Sequence, residues 1–533
     1  MKPFAYVSDE NYVAIPDVLA DFELNGSVLT LRSSARGAFV GELPAGPYLV
    51  TLTHPAFGAK SVEVELGGEN PFQFRLLRHA LLGFMWPKWV VSGEQSEIRT
   101  HSREQFQLSV WRYGWNKEFV RMLSWFDEHG PEATRQITPD GDYSQTGVDW
   151  NRHGYPGRHP QQFVTAPERS GLYYLWARTP SGKKFSFPWV VAPAKPRAQI
   201  AVLACTNNWN AYNNFGGRSN YINPGGLPST PTANARQDLG RYQAVEGPWT
   251  IPDNQFQPLA FERPEIGNDI FDNCPWSQTS VTDPIQGRVQ CGQAPGEWRL
   301  LAWLEREGFE YEYYAEAQLH DGTLPLDSYK VLMLSVHPEY WTREMMQNVK
   351  HWVLERGGRL MYLGGNGLNC EVTLNADGTV MRCLSFDDTD VPDSGHESRM
   401  HRTFEAEATL LGVAFTNAGV MTAAPYRVFD DSHWVFSGTG LNNGATFGDK
   451  SLHERVPGGA SGHETDKVTP NSPANVRVLA KGTNPDNGGA EMVCFETGAG
   501  AVFSAGSITW VSSLLPDANV SKITRNVVER FIS

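Results

Sequence analysis

The fold turns on one stretch, Gln199-Ile-Ala-Val-Leu-Ala-Cys205, and on the polar run that follows it at once, Thr206-Asn-Asn-Trp-Asn-Ala-Tyr212-Asn213. The first is apolar over the length of a strand, with none of the alternation of a half-exposed one. That pattern belongs to a strand buried on both faces, as in a parallel sheet. Lys330–Val336 and Arg359–Leu363 have the same character. Between these runs the period changes. Glu297–Glu307 carries Leu300, Leu301 and Leu304 on one helical face and stops at Gly308. Thr342 caps a second helix, whose Met345, Val349, Trp352 and Val353 recur at helical spacing before Gly357-Gly358. Strand, helix and strand in this order predict an α/β layer with right-handed crossovers.

Upstream of that layer the chain reads as all-β. Short runs at Ser27–Ser34, Gly37–Leu43, Pro47–Thr53, Ser61–Leu66 and Phe72–Leu76 are separated by Gly, Pro and His turns. The segment Leu43–Phe57 resembles a hairpin of small prealbumin-like sandwiches, which places a first domain at 1–82. Ser96–Arg99, Phe106–Trp111, Leu172–Ala177 and Phe185–Val191 predict a second, immunoglobulin-like β-sandwich at 83–192. Ala192-Pro-Ala-Lys-Pro-Arg197 is a linker, because its two prolines suit neither a helix nor a central strand. The third domain, 198–533, contains a loop-rich region over 368–480, closing strands at Val476–Lys481, Met492–Glu496 and Ala501–Ser504, and a terminal helix over Asn519–Ile532. So much irregular chain in a compact domain is expected to build a site.

Of the 533 residues, 45 are Lys or Arg and 59 are Asp or Glu, a net charge of −14 without any basic run. Nucleic acid is a poor partner for such a surface, since phosphate binding needs clustered cations. No stretch reaches about 18 uncharged apolar residues, so no membrane span is expected. The N-terminal residues lack the apolar core of a leader, and six sparse cysteines without a CxxC pair read as reduced thiols. A cytoplasmic protein is expected. Neither a GxSxG elbow nor a Walker A loop occurs. His396 and His401 imitate HExxH with one residue too many, which turns them about 140° apart on a helix.

In open parallel sheets, ligands bind beyond the carboxyl ends of the strands. Those ends carry three polar clusters: Thr206–Tyr221, then His337-Pro-Glu339-Tyr340-Trp341, then Gly364-Gly-Asn366-Gly. His337 and Glu339, two residues apart, project to the same side of an extended strand end. All three clusters are expected to face one cleft.

Several of these residues fall in ordered motifs. Ala211-Tyr212-Asn213 with Gly216-Gly217-Arg218-Ser219 and Tyr221 resembles the AYNxWGGRSLY signature of the N,N-dimethylformamidase large-subunit family. Phe261-Glu-Arg263-Pro264 is similar to its SFDRPY segment, Trp303–Phe309 to the following helix, and His337-Pro-Glu339-Tyr340-Trp341 to its HxEYW. Gly462-His-Glu464-Thr-Asp466 and Gly506-Ser507-Ile508 match later motifs, so the resemblance spans roughly Ser170–Ser533. It implies a glutamine-amidotransferase-like α/β catalytic domain and a mononuclear iron, Fe(III), held by two tyrosinates and one glutamate. It also implies hydrolysis of a small formamide. Carried over by position, Tyr212 and Glu339 are ligands, and His337, Asn366 and Glu464 are the polar groups around substrate and water.

One ligand departs from the pattern. The family's second tyrosine follows Arg-Pro, where this chain has Glu265. Either Glu265 supplies the third oxygen, or the second phenolate comes from Tyr221 or Tyr242. The residue types suit the implied ion, because a hard cation prefers anionic oxygen donors and can deprotonate a tyrosine. The expected partners are a small amide substrate, further copies of the chain and, as the resemblance implies, a separate small subunit. Two other readings remain: a hydrolase of the same scaffold acting on a lactam or carbamate, and a non-catalytic carbohydrate-binding protein.

Overall fold

A computed structural model of the chain describes residues 2–125, 139–148, 162–233, 256–271, 277–289, 292–384 and 399–533. Tyr242 and His396 lie outside the described residues. Within the described residues the protein is a multidomain, β-rich molecule.

The first 76 residues form a three-stranded sheet (Ala38–Val40, Pro3–Ser8, Phe72–Arg75) and a four-stranded sheet (Ser27–Arg32, Leu19–Leu24, Gly46–His54, Gly58–Leu66) around one core. Val7, Phe22, Phe39, Val50, Leu52 and Phe74 fill it. Pro3–Ser8 and Leu19–Leu24 are strands the sequence reading passed over. In the second, Ala20 and Phe22 alternate inward between more exposed neighbours.

The next block has a three-stranded sheet and a five-stranded one, the latter in the order Lys117–Ser124, Gln107–Tyr113, Gly171–Arg178, Lys184–Ala192, Trp89–Val91. Gly171–Arg178 is buried almost throughout because its two faces serve two cores. Tyr173, Leu175 and Ala177 pack inside the block, whereas Leu172, Tyr174 and Trp176 pack with Trp298 and Trp303 of the following layer.

That layer is a nine-stranded mixed sheet. In chain order its strands are β1 (Ile200–Ala204), β2 (Glu312–Ala315), β3 (Val331–Val336), β4 (Arg359–Gly364), β5 (Tyr426–Val428), β6 (Thr446–Phe447), β7 (Arg477–Gly482), β8 (Glu491–Thr497) and β9 (Gly500–Ser504). They lie in the order β2-β1-β3-β4-β9-β8-β7-β5-β6. The first five are mutually parallel and the others antiparallel. Register explains the continuous apolar runs. The row Tyr313, Val202, Met333, Met361, Phe503 faces one core, and its neighbours Tyr314, Leu203, Leu334, Tyr362 face the other.

Helices cover both faces. Helix α1 (Thr206–Ala211) leaves the end of β1 directly, α2 (Ala294–Glu307) packs on the first core, and α3 (Arg343–Arg356) packs on the second through Met345, Val349, Trp352 and Val353. Thr342 accepts from Met345 N at 3.2 Å, satisfying one of the donors a helix start leaves open, and Gly357 ends α3 at φ 77°. Helix α4 (Thr509–Ser513) and the terminal α5 (Ala518–Ile532), capped by Asp517, close the first core. The four described cysteines are free and buried. Among the described residues no helix is long and apolar enough to cross a membrane.

Candidate functional site

Every residue of α1 is buried, although three of its six residues are asparagines. They act as a clamp. Asn207, Asn208 and Asn210 donate to the carbonyls of Tyr340, Gly292 and Leu259 at 3.0, 3.0 and 3.2 Å. Tyr212 caps this helix at its C-terminal end, with its N–H on Asn208 O. The motif arginines also serve carbonyls. Arg263 reaches the carbonyls of Ala260, Phe215 and Asn210, and Arg218 reaches that of Pro258 and, besides it, the Asp142 carboxylate. The loop carrying Tyr221 is held from the N-terminal 76 residues as well. Gly216 N donates to Glu10 O, and Arg75 donates to Gly216 O from between the rings of Tyr12 and Tyr143.

At the end of β3 the backbone is strained. Val336 sits at φ 47°, a region where a β-branched residue is an outlier, and Asn366 after β4 sits at φ 52°. The sharp turn at Val336 projects His337 and Glu339 from the sheet's carboxyl edge. Asn366 is held by Asp466, which accepts from Asn366 N at 2.8 Å and from the Tyr362 hydroxyl at 2.7 Å. Burial pushes Asp466 up to about 7.

Four elements remote in sequence thus meet in one buried centre. Tyr340 donates to Tyr221 at 2.8 Å, Tyr221 to Tyr212 at 2.7 Å, and Tyr212 to Glu339 Oε2 at 2.9 Å. The Tyr221 oxygen also lies 3.1 Å from each Glu339 oxygen, and the rings of Tyr212 and Tyr221 stack at 4.2 Å. Burial, and then the charge of Glu339, raises all three phenols well above their ordinary 10. Beside them, His337 Nε2 is 3.4 Å from Glu339 Oε2 and 3.0 Å from Glu464 Oε2, and Asn366 donates to Glu464 at 2.8 Å. Burial works against the His337 imidazolium, but Glu464 and Glu339 outweigh it and raise its pKa. Glu464, which burial alone would raise, is drawn down to about 2 by His337.

Of the residues singled out from sequence, Tyr212, Glu339, His337, Asn366 and Glu464 come together here. Glu265 does not join them. Its Oε1 accepts from Lys88 at 2.6 Å and its Oε2 from Asn268 at 2.8 Å, so both oxygens serve other partners. The position beside Tyr212 and Glu339 is taken by Tyr221. Sequence reasoning had not singled out Tyr340, Asp466 or Lys88, although Tyr340 and Asp466 stand inside quoted motifs. Among the described residues no three His, Cys, Asp or Glu side chains are placed to hold a metal ion together. Any such ion would depend on the phenol oxygens. Their chemistry suits a hard cation: two phenols and a carboxylate within 3.1 Å of one another, each able to become an anionic oxygen donor.

Fold and site together define a multidomain, β-rich protein with a buried, oxygen-rich polar centre at the carboxyl ends of the parallel strands of a mixed sheet. The model of the family "N,N-dimethylformamidase beta subunit-like, C-terminal" matches residues 107–522, and the chain belongs to that family. It is 29% identical over 481 residues to the N,N-dimethylformamidase beta subunit of an Alcaligenes species, covering 73% of this chain and 59% of that one. It is 26% identical over 483 residues to the protein of the same name from Paracoccus aminophilus, covering 74% of this chain and 60% of that one. The chain therefore spans about three-fifths of the length of these curated relatives.

Proposed function

We propose that the protein is an iron-dependent amide hydrolase, cleaving the C–N bond of a small N-substituted formamide, with Tyr212, Tyr221 and Glu339 as the iron ligands. One observation carries this: two phenols and a carboxylate in mutual contact next to a histidine–glutamate pair. The parallel strands behind the site suit a glutamine-amidotransferase-like layer, and the family and relatives' names supply the amide. Fe(III) bound to the three oxygens would polarise an amide carbonyl and lower the pKa of water.

The chain's own groups do the rest. Asn366 and Glu464 orient water and substrate at the strand ends. The proton shared by His337 Nε2 and Glu464 Oε2 supports acid–base catalysis. The pair takes a proton from the attacking water and returns one to the amide nitrogen as the C–N bond breaks, a role worth about 10²–10⁴-fold. The products are a carboxylic acid and an amine. Because the relatives are named beta subunits, we extend the proposal to assembly with a partner subunit.

The test is metal analysis of the purified chain, followed by a screen for amine release from small formamides. About one iron per chain with amine release supports the proposal, and a chain without iron that hydrolyses no amide overturns it.

A further inference from the structure

The turn that follows β4, Gly364-Gly365-Asn366-Gly367, admits one side chain and places it where a side chain is costly. A Cβ at Gly365 would be driven into Glu464 O, and one at Gly367 into the Tyr362 ring. Asn366, between them, sits at φ 52°, a conformation that glycine adopts at less cost. What glycine could not supply is the carboxamide. Its Nδ2 donates to Glu464 Oε2 at 2.8 Å and lies 3.5 Å from His337 Nε2, and Glu464 Oε2 is 3.0 Å from that same nitrogen. An ionised carboxylate only accepts, so Glu464 fixes which end of the carboxamide faces the pair.

A second carboxylate holds the backbone that carries this side chain. Asp466 follows Glu464 by two residues, on the short strand Thr465–Lys467. That strand is tied to the segment after β9, with Asp466 N donating to Gly506 O at 2.9 Å and Ile508 N to Glu464 O at 3.3 Å. From this frame Asp466 Oδ1 accepts from Asn366 N at 2.8 Å, and its Oδ2 accepts from the Tyr362 hydroxyl at 2.7 Å. The hydroxyl in turn accepts from Gly367 N at 2.7 Å. Two successive N–H groups of the turn are therefore tied to Asp466, one directly and one through Tyr362. Both side chains are buried, and the two donors favour the Asp466 anion against its burial.

We propose that Asp466 is a positioning residue of the amide-hydrolase centre: with Tyr362 it clamps the Asn366–Gly367 turn and so aims the Asn366 carboxamide at the His337–Glu464 pair. This rests on the function proposed above. Without the clamp the turn relaxes from the left-handed region, and the carboxamide leaves Glu464. Glu464 Oε2 then loses one of the two contacts that orient it for proton transfer. A misplacement of about 1 Å in such a group can cost about 10²-fold in rate. In this role Asp466 acts through Asn366 and exchanges no proton with the substrate.

Double-variant kinetics on the full chain test the route. Asp466→Ala and Tyr362→Phe are expected to lower kcat by about 10²-fold and about tenfold, with smaller changes in KM. Asp466→Asn, whose Oδ1 can still accept from Asn366 N, recovers part of the loss. Asn366→Gly removes the carboxamide and suits the left-handed backbone. In that background Asp466→Ala and Tyr362→Phe should lower kcat no further. Losses that multiply there, or wild-type kcat in both single variants, overturn the proposal. Should Asp466→Ala fail to fold, Tyr362→Phe, which keeps the carboxylate, carries the same cycle. Hydrogen exchange followed by mass spectrometry reads the clamp without any turnover. In Tyr362→Phe the amides of Asn366 and Gly367 should exchange about tenfold faster, while those of α5 keep their wild-type rates. Unchanged rates in the turn, or equal acceleration in α5, overturn the clamp. Should the wild type hydrolyse no amide while the turn alone is released, the hydrolase function fails and the clamp stands.

Discussion

Replacing Glu265 by alanine separates two roles that are indistinguishable in the linear sequence. The Lys88–Glu265 pair spans 2.6 Å with side chains only 6% and 4% exposed. Removing the carboxylate leaves an ammonium without counter-charge in a low-dielectric interior. Breaking such a pair from one side costs about 3–5 kcal/mol. Burial pulls the Lys88 pKa down and Glu265 holds it up. The variant can therefore shed the lysine proton, which puts the expected loss near the lower end, about 3 kcal/mol. Lys88→Met combined with Glu265→Ala removes the stranded charge and should regain most of that stability. Iron content should match the wild type in both. The assay is urea unfolding at pH 7 with iron analysis of the same preparations. A loss below about 1 kcal/mol, or a double variant no more stable than the single one, would refute the ion-pair reasoning. A normally stable Glu265→Ala protein that lacks iron would make Glu265 a ligand.

Tyr212→Phe and Tyr221→Phe should each lower iron affinity and weaken, without abolishing, the visible phenolate-to-iron band, and the double variant should lose it; a full band in Tyr221→Phe would remove that residue from the ligand set. His337→Gln is expected to retain iron while kcat falls by about 10²–10⁴-fold, and iron loss there would make His337 a ligand. Glu297, on α2, accepts from Trp209, Tyr313 and the Cys205 N–H, yet burial raises it from its ordinary 4.5 to about 7. The folded state thus binds its proton more tightly than the unfolded one. That contribution is complete below about 4.5 and lost as pH rises through 7, by about 3 kcal/mol. Glu297→Gln should therefore gain on the wild type in urea unfolding between pH 4.5 and 8, and a pH-independent difference would count against the shift.

The α/β layer was legible because its strands are buried on both faces, which writes a continuous apolar run into the local sequence. Residues 200–204, 331–336 and 359–364 carry that pattern, and Thr342 and Gly357 mark the ends of α3 by local backbone chemistry. The N-terminal strands were legible only where alternation was strong. Leu19–Leu24 escaped because one of its inward residues, Ala20, is small, and the other, Phe22, stands between the charged Asp21 and Glu23. In the site, spacing alone placed His337 and Glu339 on one strand end.

The rest required three dimensions. Tyr221 follows Tyr212 by nine residues of irregular chain, and no periodicity says where its ring goes. Its loop is set by Glu10, in a turn, and Arg75, in a strand, both more than 130 residues upstream. Glu265 carries the right charge in the right motif, but Lys88, 177 residues away in sequence, neutralises it. Glu464 reaches His337 from 127 positions away in sequence. Local sequence thus determined which segments are strands and helices and which polar residues end them, because burial and capping act within a few residues. Which oxygens share a centre was decided only by tertiary structure, because ion pairing and hydrogen bonding depend on distance in space and leave no period in the chain.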